Sequence, residues 1–241
     1  MPFAAMAQDP LPSTVRRVKP AIVGVATYQL NRSPQAVLLG TGFAVGDGRH
    51  VLTNHHVATA REVTAEQGES LVVLVGTGSR VQVRKATIAG SDDLHDLSLL
   101  RIAGEALPKL DLGNSDNVEE GERFAFTGYP IGAALGLYPA THLAMIAAIT
   151  PVATPADRSE RLDARTIRRM RDGYSVFQLD ATAYPGNSGS PLYRVDSGAV
   201  VGIINQVFVK ESRESALTSP SGISYAVPIK HALPLLRKAG Q

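Results

Sequence analysis

Short runs of Val, Ile, Leu and Phe alternate along the chain with clusters of Gly, Pro, Asn and Asp, the pattern of β-strands punctuated by turns. The runs predict strands at Ala21–Gln29, Ala36–Val45, His50–Thr53, Ser70–Val75, Arg80–Ala89, Leu97–Ile102 and Arg123–Gly128. Further strands are predicted at Ala140–Ile149, Ser175–Asp180, Pro191–Arg194, Ala199–Phe208 and Ile223–Pro228. Helical patterning is confined to short pieces. Pro10–Lys19 opens with Pro-Ser-Thr and ends before Pro20, Val57–Ala60 suits one turn, and Lys230–Lys238 suits a closing helix ahead of Gly240. Asp163–Asp172 is a further helical candidate inside a charged insertion, Pro155 to Gly173, too polar for core and expected as a surface loop or docking element. About a dozen short strands, with helices mostly at the ends, predict an all-β fold of barrels rather than a parallel α/β sheet. Leu110–Gly121 divides the strands into two groups of about six.

Composition narrows the function classes. At 241 residues, one domain or two tightly fused halves is expected, and 44% hydrophobic against 19% charged residues suits a chain with a sizeable core. The net charge of +2 comes without a Lys/Arg block, and there is no tryptophan, which argues against a nucleic-acid partner. Cysteine is absent, which excludes disulfides, thiol catalysis and cysteine metal sites. No apolar stretch is long enough to span a bilayer. Ala5-Met6-Ala7 before Gln8 reads like a signal-peptidase site with a short lead. Residues 1–12 are therefore either the remnant of a longer signal peptide or a small-residue tail.

Three segments carry candidate chemistry. In Ala183-Tyr184-Pro185-Gly186-Asn187-Ser188-Gly189-Ser190-Pro191-Leu192, glycines flank a serine and let the backbone fold tightly around it. A serine hydroxyl needs such rigid exposure beside a base to act as a nucleophile. The amides of Gly186 and Ser188, with Asn187 between them, are the candidate oxyanion hole. The bland alternative is a Gly/Pro-rich turn with an incidental serine. Val51-Leu52-Thr53-Asn54-His55-His56-Val57 places a histidine directly after a strand, as an anchored base requires, although a surface His pair or half of a metal site would read the same way. Asp92-Asp93-Leu94-His95-Asp96-Leu97 brings a carboxylate to the entry of an apolar strand, where it either caps that strand or fixes an imidazole tautomer.

The order His, Asp, Ser discriminates between folds. In α/β-hydrolases the serine comes first, in G-x-S-x-G between a strand and a helix. Here extended structure follows Ser188, and a subtilisin-like order would need Asp47 as the acid and a helix after the serine.

Together the segments resemble the triad motifs of trypsin-like peptidases, and more closely those of the HtrA (Deg) family. Thr53-Asn54-His55-His56-Val57 resembles T-N-x-H-V, which selects His56 over His55. His95-Asp96-Leu97-Ser98-Leu99-Leu100 resembles D-[IL]-A-[LV]-L, which selects Asp96 over Asp92 and Asp93. Asp180-Ala181 followed by Gly186-Asn187-Ser188-Gly189 resembles D-A-x(4)-G-N-S-G-G, with Ser190 in place of the second glycine. Gly222-Ile223-Ser224-Tyr225-Ala226-Val227-Pro228 is similar to the family's closing strand and Val18-Lys19-Pro20-Ala21-Ile22-Val23 to its opening one.

The resemblance, over about residues 13–236, implies two perpendicular six-stranded barrels, at about 20–112 and 121–229, with a closing helix at 230–238. It implies a serine endopeptidase with no cofactor and no metal, acting on protein or peptide substrates through an acyl-enzyme, with His56, Asp96 and Ser188 catalytic. It also implies a periplasmic or secreted setting, a role in protein quality control or processing, and a homo-oligomer, a trimer by analogy. With the sequence running about a dozen residues past Pro228, the PDZ domain that family members commonly carry is not expected. Thr182, six residues before Ser188, is expected at the base of the specificity pocket, with Ile203, Ile204 and Asn205 along its wall. An uncharged base and aliphatic wall predict a small or medium apolar residue before the scissile bond. Ile22-Val23-Gly24-Val25 resembles a cleaved trypsin N-terminus, but Asn187 offers no carboxylate to pair with it. The readings that compete with a peptidase are a silent trypsin-like binding or chaperone-like module and an esterase.

Overall fold

The computed structural model describes residues 9–60, 68–130, 136–152, 173–205 and 222–241. Strands β1 (Ile22–Tyr28), β2 (Ala36–Val45), β3 (His50–Asn54), β4 (Ser70–Thr77), β5 (Arg80–Asp92) and β6 (Leu97–Ile102) close into one barrel, in the order β1-β2-β3-β6-β5-β4. Strands β7 (Arg123–Gly128), β8 (Ala140–Pro151), β9 (Ser175–Asp180), β10 (Pro191–Arg194), β11 (Val200–Ile204) and β12 (Ile223–Pro228) close into a second, in the order β10-β11-β12-β9-β8-β7. Every pairing between these strands is antiparallel, and closure leaves neither sheet with a free edge. The all-β, two-barrel expectation is met.

Among the described residues the helices are few and short: α1 (Leu11–Val18), α2 (His55–Ala58) and α3 (Leu233–Lys238). A 3-10 turn, Lys19–Ala21, carries α1 through Pro20 into β1. Thr14 and Arg17 of α1 donate to the carbonyl of Asp196 at 2.9 and 3.2 Å, so the N-terminal helix is tied to the β10–β11 hairpin of the second barrel. One hydrophobic core runs from the first barrel into the contact between barrels, taking in Phe43, Leu52, Leu99, Tyr129, Tyr193 and Ile203. The second barrel has its own interior of Phe124, Phe126, Ile146, Phe177, Leu192 and Ile204.

Helix α2 begins at His55, two residues before the expected Val57–Ala60 turn, and two further elements depart from their sequence expectation. Strand β5 runs on to Asp92 although Gly90-Ser91-Asp92 has turn composition, because a bulge between Ile88 and Gly90 lets those residues pair with Leu99, Ser98 and Leu97. The closing helix begins at Leu233, preceded by a 3-10 turn Ile229–Ala232, with Pro234 in the first turn, where a missing N–H costs nothing. The predicted helix Asp163–Asp172, and the stretch Gln206–Phe208 of the predicted strand after Ala199, lie outside the described residues.

Candidate active site

The site grows from the ends of β3 and β5. Strand β3 stops at Asn54, and α2 begins at once, so His55 and His56 stand on one helical turn at the barrel rim. Opposite, β5 ends in the turn 92–96, whose carboxylates sort among three histidines. Asp92 Oδ2 meets His95 Nδ1 at 2.7 Å, Asp93 Oδ1 meets His55 Nε2 at 2.7 Å, and Asp96 Oδ2 meets His56 Nδ1 at 2.6 Å. The selection of His56 with Asp96, made on motif grounds, coincides with one of these three pairs.

The pairs differ in burial and support. The Asp96 side chain is 4% exposed and that of His56 30%, so a dry carboxylate backs a ring that still faces solvent. Asp96 Oδ1 also accepts the His56 backbone N–H at 2.9 Å, and its Oδ2 accepts Asn205 Nδ2 at 2.8 Å from across the barrel contact. Its carbonyl accepts the N–H of His55 at 3.0 Å and Asn54 Nδ2 at 3.2 Å. Among the described residues Asp96 is the one non-glycine with positive φ, at 55°, and these bonds hold it there. Burial works to raise the Asp96 pKa. The hydrogen bonds from the His56 ring and backbone and from Asn205, with the His56 charge, outweigh it and hold the carboxyl below its usual range.

Ser188 comes from the second barrel. Its carbonyl accepts the N–H of Thr41 on β2 at 2.8 Å, which docks the serine segment on the first barrel. Between them lies Gly40: a Cβ there would stand 2.9 Å from the Ser188 carbonyl and 2.8 Å from Val57, the residue after His56. The glycine lets the serine segment and α2 close on one another. Gly189, at φ +88°, packs against the Thr41 carbonyl and Thr53 so tightly that only glycine fits. The Ser188 hydroxyl makes no hydrogen bond among the described residues.

Gly186, at φ +100°, turns its carbonyl to Thr41 Oγ1 at 2.7 Å. Among the described residues the N–H groups of Gly186 and Ser188 have no acceptor. Asn187, expected beside them in the hole, behaves differently. Its N–H donates to Tyr184 O at 3.0 Å inside the turn, so that backbone donor is already engaged. Its side chain is fully buried, and among the described residues neither amide atom has a hydrogen-bond partner, nor does the neighbouring hydroxyl of Ser190. Both lie against Gly128, where a Cβ would collide with Ser190 Oγ and approach Asn187 Oδ1 to 2.9 Å.

The expected pocket wall also needs correction. Ile203 and Ile204 are completely buried, one in each core, because β11 is covered on both faces. Neither presents a surface to a substrate. Asn205 turns to Asp96 instead, a role invisible in the sequence because the strand pattern gives no sign of which barrel a side chain reaches. Thr182 is half-buried in the loop after β9. Among the described residues no group of three His, Cys, Asp or Glu is placed to hold a metal ion.

Two closed antiparallel six-stranded barrels, with the His–Asp pair from one and the glycine-framed serine from the other, are the fold of the chymotrypsin-like proteins. The family model for the trypsin-like peptidase domain matches residues 40–203, and the chain belongs to that family. It is 31% identical over 196 residues to a protein of Halomonas elongata named "Probable periplasmic serine endoprotease DegP-like", and 29% identical over 203 residues to one of the same name from Pseudomonas fulva. These alignments cover 81% and 84% of this chain but 34% and 35% of the relatives, so the chain spans about a third of their length. Among solved structures, the HtrA-type protease AlgW with decapeptide is 22% identical at a TM-score of 0.67, covering 94% of this chain and 66% of that one. The serine endoprotease from Yersinia pestis is 24% identical at a TM-score of 0.62, covering 99% and 67%.

Proposed function

We propose that this protein is a serine endopeptidase that cleaves protein substrates through an acyl-enzyme at Ser188. The observation that carries the reading is the 2.6 Å contact of His56 Nδ1 with a buried, multiply bonded Asp96. With Nδ1–H held by Asp96, the other ring nitrogen is the unprotonated base that the Ser188 hydroxyl needs. As Ser188 Oγ attacks a peptide carbonyl, its proton passes to His56 Nε2, and the depressed pKa keeps Asp96 anionic beside the imidazolium. The amides of Gly186 and Ser188 receive the developing oxyanion. The leaving amine takes the proton from His56, and water repeats the sequence to free the acid.

The half-buried, uncharged Thr182 supports cleavage after residues other than Lys and Arg, small or medium apolar ones in particular. The names of the Halomonas and Pseudomonas relatives support a periplasmic setting. Extracytoplasmic quality control or processing as the role, and a homo-oligomer as the form, rest on the family resemblance alone. The test is labelling by a fluorophosphonate probe, with Ser188→Ala as control. Labelling of the native protein alone supports the reading. No labelling of either, with or without peptides, leaves a binding module on a peptidase fold.

A further inference from the structure

The family pattern T-N-x-H-V leaves the position before the base open, and here it holds His55, whose ring is committed at both nitrogens. Its Nε2 meets Asp93 Oδ1 at 2.7 Å, and its Nδ1 lies 3.2 Å from Ser98 Oγ, itself 3.0 Å from Ser91 Oγ. Ser98 is fully buried on β6, and Ser91 pairs with it from β5. The ring thus ties three things together: α2, which carries His56; the β5–β6 ladder; and the turn 92–96, which carries Asp96.

That turn needs bracing. Asp96 holds a left-handed backbone, which an L-residue adopts at a cost and keeps only where its surroundings enforce it. From below, the Asp96 carbonyl is gripped by the His55 N–H and by Asn54. From above, Asp93 is the point where the turn meets α2 again. Bonds at Asp96 itself and at Asp93, three residues before it, limit its freedom to rotate away from His56. The Asp93 side chain is 59% exposed, so this pair adds little to overall stability. Its effect is on geometry.

Resting on the peptidase reading above, we propose that His55 and Asp93 are positioning residues for the reaction, bracing the 92–96 turn against α2 so that Asp96 stays at hydrogen-bond distance from His56. Neither touches the reacting atoms.

The test compares His55→Phe, Asp93→Ala, Asp93→Asn and the double variant His55→Phe/Asp93→Ala in the full chain. The readouts are peptide turnover, thermal unfolding, and the downfield proton NMR resonance of the His56 Nδ1–H bonded to Asp96. The brace predicts that His55→Phe and Asp93→Ala each lower kcat about tenfold at unchanged KM, since small misplacements of catalytic groups cost this much or more. The double variant falls no further, and the resonance broadens or moves upfield in all three. Asp93→Asn keeps an acceptor for His55 Nε2 and retains most of the activity, with a melting temperature within about 4 °C of the wild type. An unchanged kcat and resonance in folded His55→Phe and Asp93→Ala would overturn the proposal, as would losses confined to KM or multiplying in the double variant. Absent turnover and probe labelling in the wild type defeat the peptidase reading instead, and the resonance then still decides the brace.

Discussion

Asn205 reaches out of the second barrel and donates its Nδ2 to Asp96 Oδ2 of the first at 2.8 Å, with both side chains buried. The bond gives the carboxylate oxygen that faces His56 a second fixed partner, so rotation of Asp96 away from the ring would break two contacts. Asn205→Ala is expected to lower kcat about tenfold with a smaller change in KM, in line with roughly 1.5–3 kcal/mol for a hydrogen bond to a charged group. Asn205→Asp is expected to be worse, because a second carboxylate beside Asp96 raises the pKa of one of them and leaves a proton where His56 needs charge. Steady-state kinetics on a peptide substrate check both. Equal activity of Asn205→Ala and wild type would show that the bond does not hold Asp96 in place.

Replacing Asp96 by Asn separates the three Asp–His pairs by role. The amide keeps the shape of the site but favours the wrong imidazole tautomer, so kcat should fall by roughly four orders of magnitude. Asp92→Asn disturbs a turn in which Asp92 accepts from Leu94 and His95, and should mainly affect stability. If Asp92→Asn lost activity on the scale expected of Asp96→Asn, while Asp96→Asn turned over normally, the assignment of the orienting carboxylate would be wrong. Turnover and circular dichroism of the two variants settle the comparison.

Much of this site is legible along the chain because it is built from local geometry. The bounds of β6, β7, β9, β10 and β12 coincide with the predicted runs, and β7, β9 and β12 end on Gly128, Asp180 and Pro228. His56 and Ser188 stand out because glycines and strand ends frame them. What stays hidden depends on contacts between barrels. The direction of the Asn205 side chain and the burial of both Ile203 and Ile204 arise from the packing of β11 between the two cores and from the reach of Asn205 to Asp96 of the other barrel. A strand covered on both faces loses the alternation that would mark a pocket wall. The run of β5 to Asp92 is hidden for another reason, since a bulge makes turn-like residues pair as strand.

Acid stability should reflect His231. Its ring stacks on His95 at a centroid distance of 4.0 Å, and its Nε2 is buried without a hydrogen-bond partner among the described residues. Burial, with the charges of His95 and Lys230 behind it, pushes its pKa from 6.5 down to about 4, against the opposing pull of Asp92 and Asp116. A lowered histidine pKa favours the neutral ring in the folded state. The stability it contributes is therefore complete above about pH 6.5 and is lost progressively as pH falls toward 4. His231→Phe keeps the stacking partner and removes the titration. Its melting temperature should fall less steeply than that of the wild type between these two pH values. Parallel melting curves for the two proteins would count against His231 as the source.

Ser190 stands where the family pattern has glycine, and Gly128 makes the room for it. Gly128 has no positive φ, so substitution there meets a steric limit and not a backbone one. A Cβ at 128 would collide with Ser190 Oγ and press on Thr41 Oγ1 at 2.8 Å, and Thr41 is the group that holds the Gly186 carbonyl. Gly128→Ala is therefore expected to destabilise the fold by about 1–3 kcal/mol, the usual cost of overpacking, and to slow probe labelling of Ser188 as the Gly186 peptide is displaced. Ser190→Gly removes the nearest clash, so the pair Gly128→Ala/Ser190→Gly should recover part of the stability and part of the labelling rate, measured by urea unfolding and probe kinetics. Strictly additive losses in the double variant would mean that the two positions do not share this space.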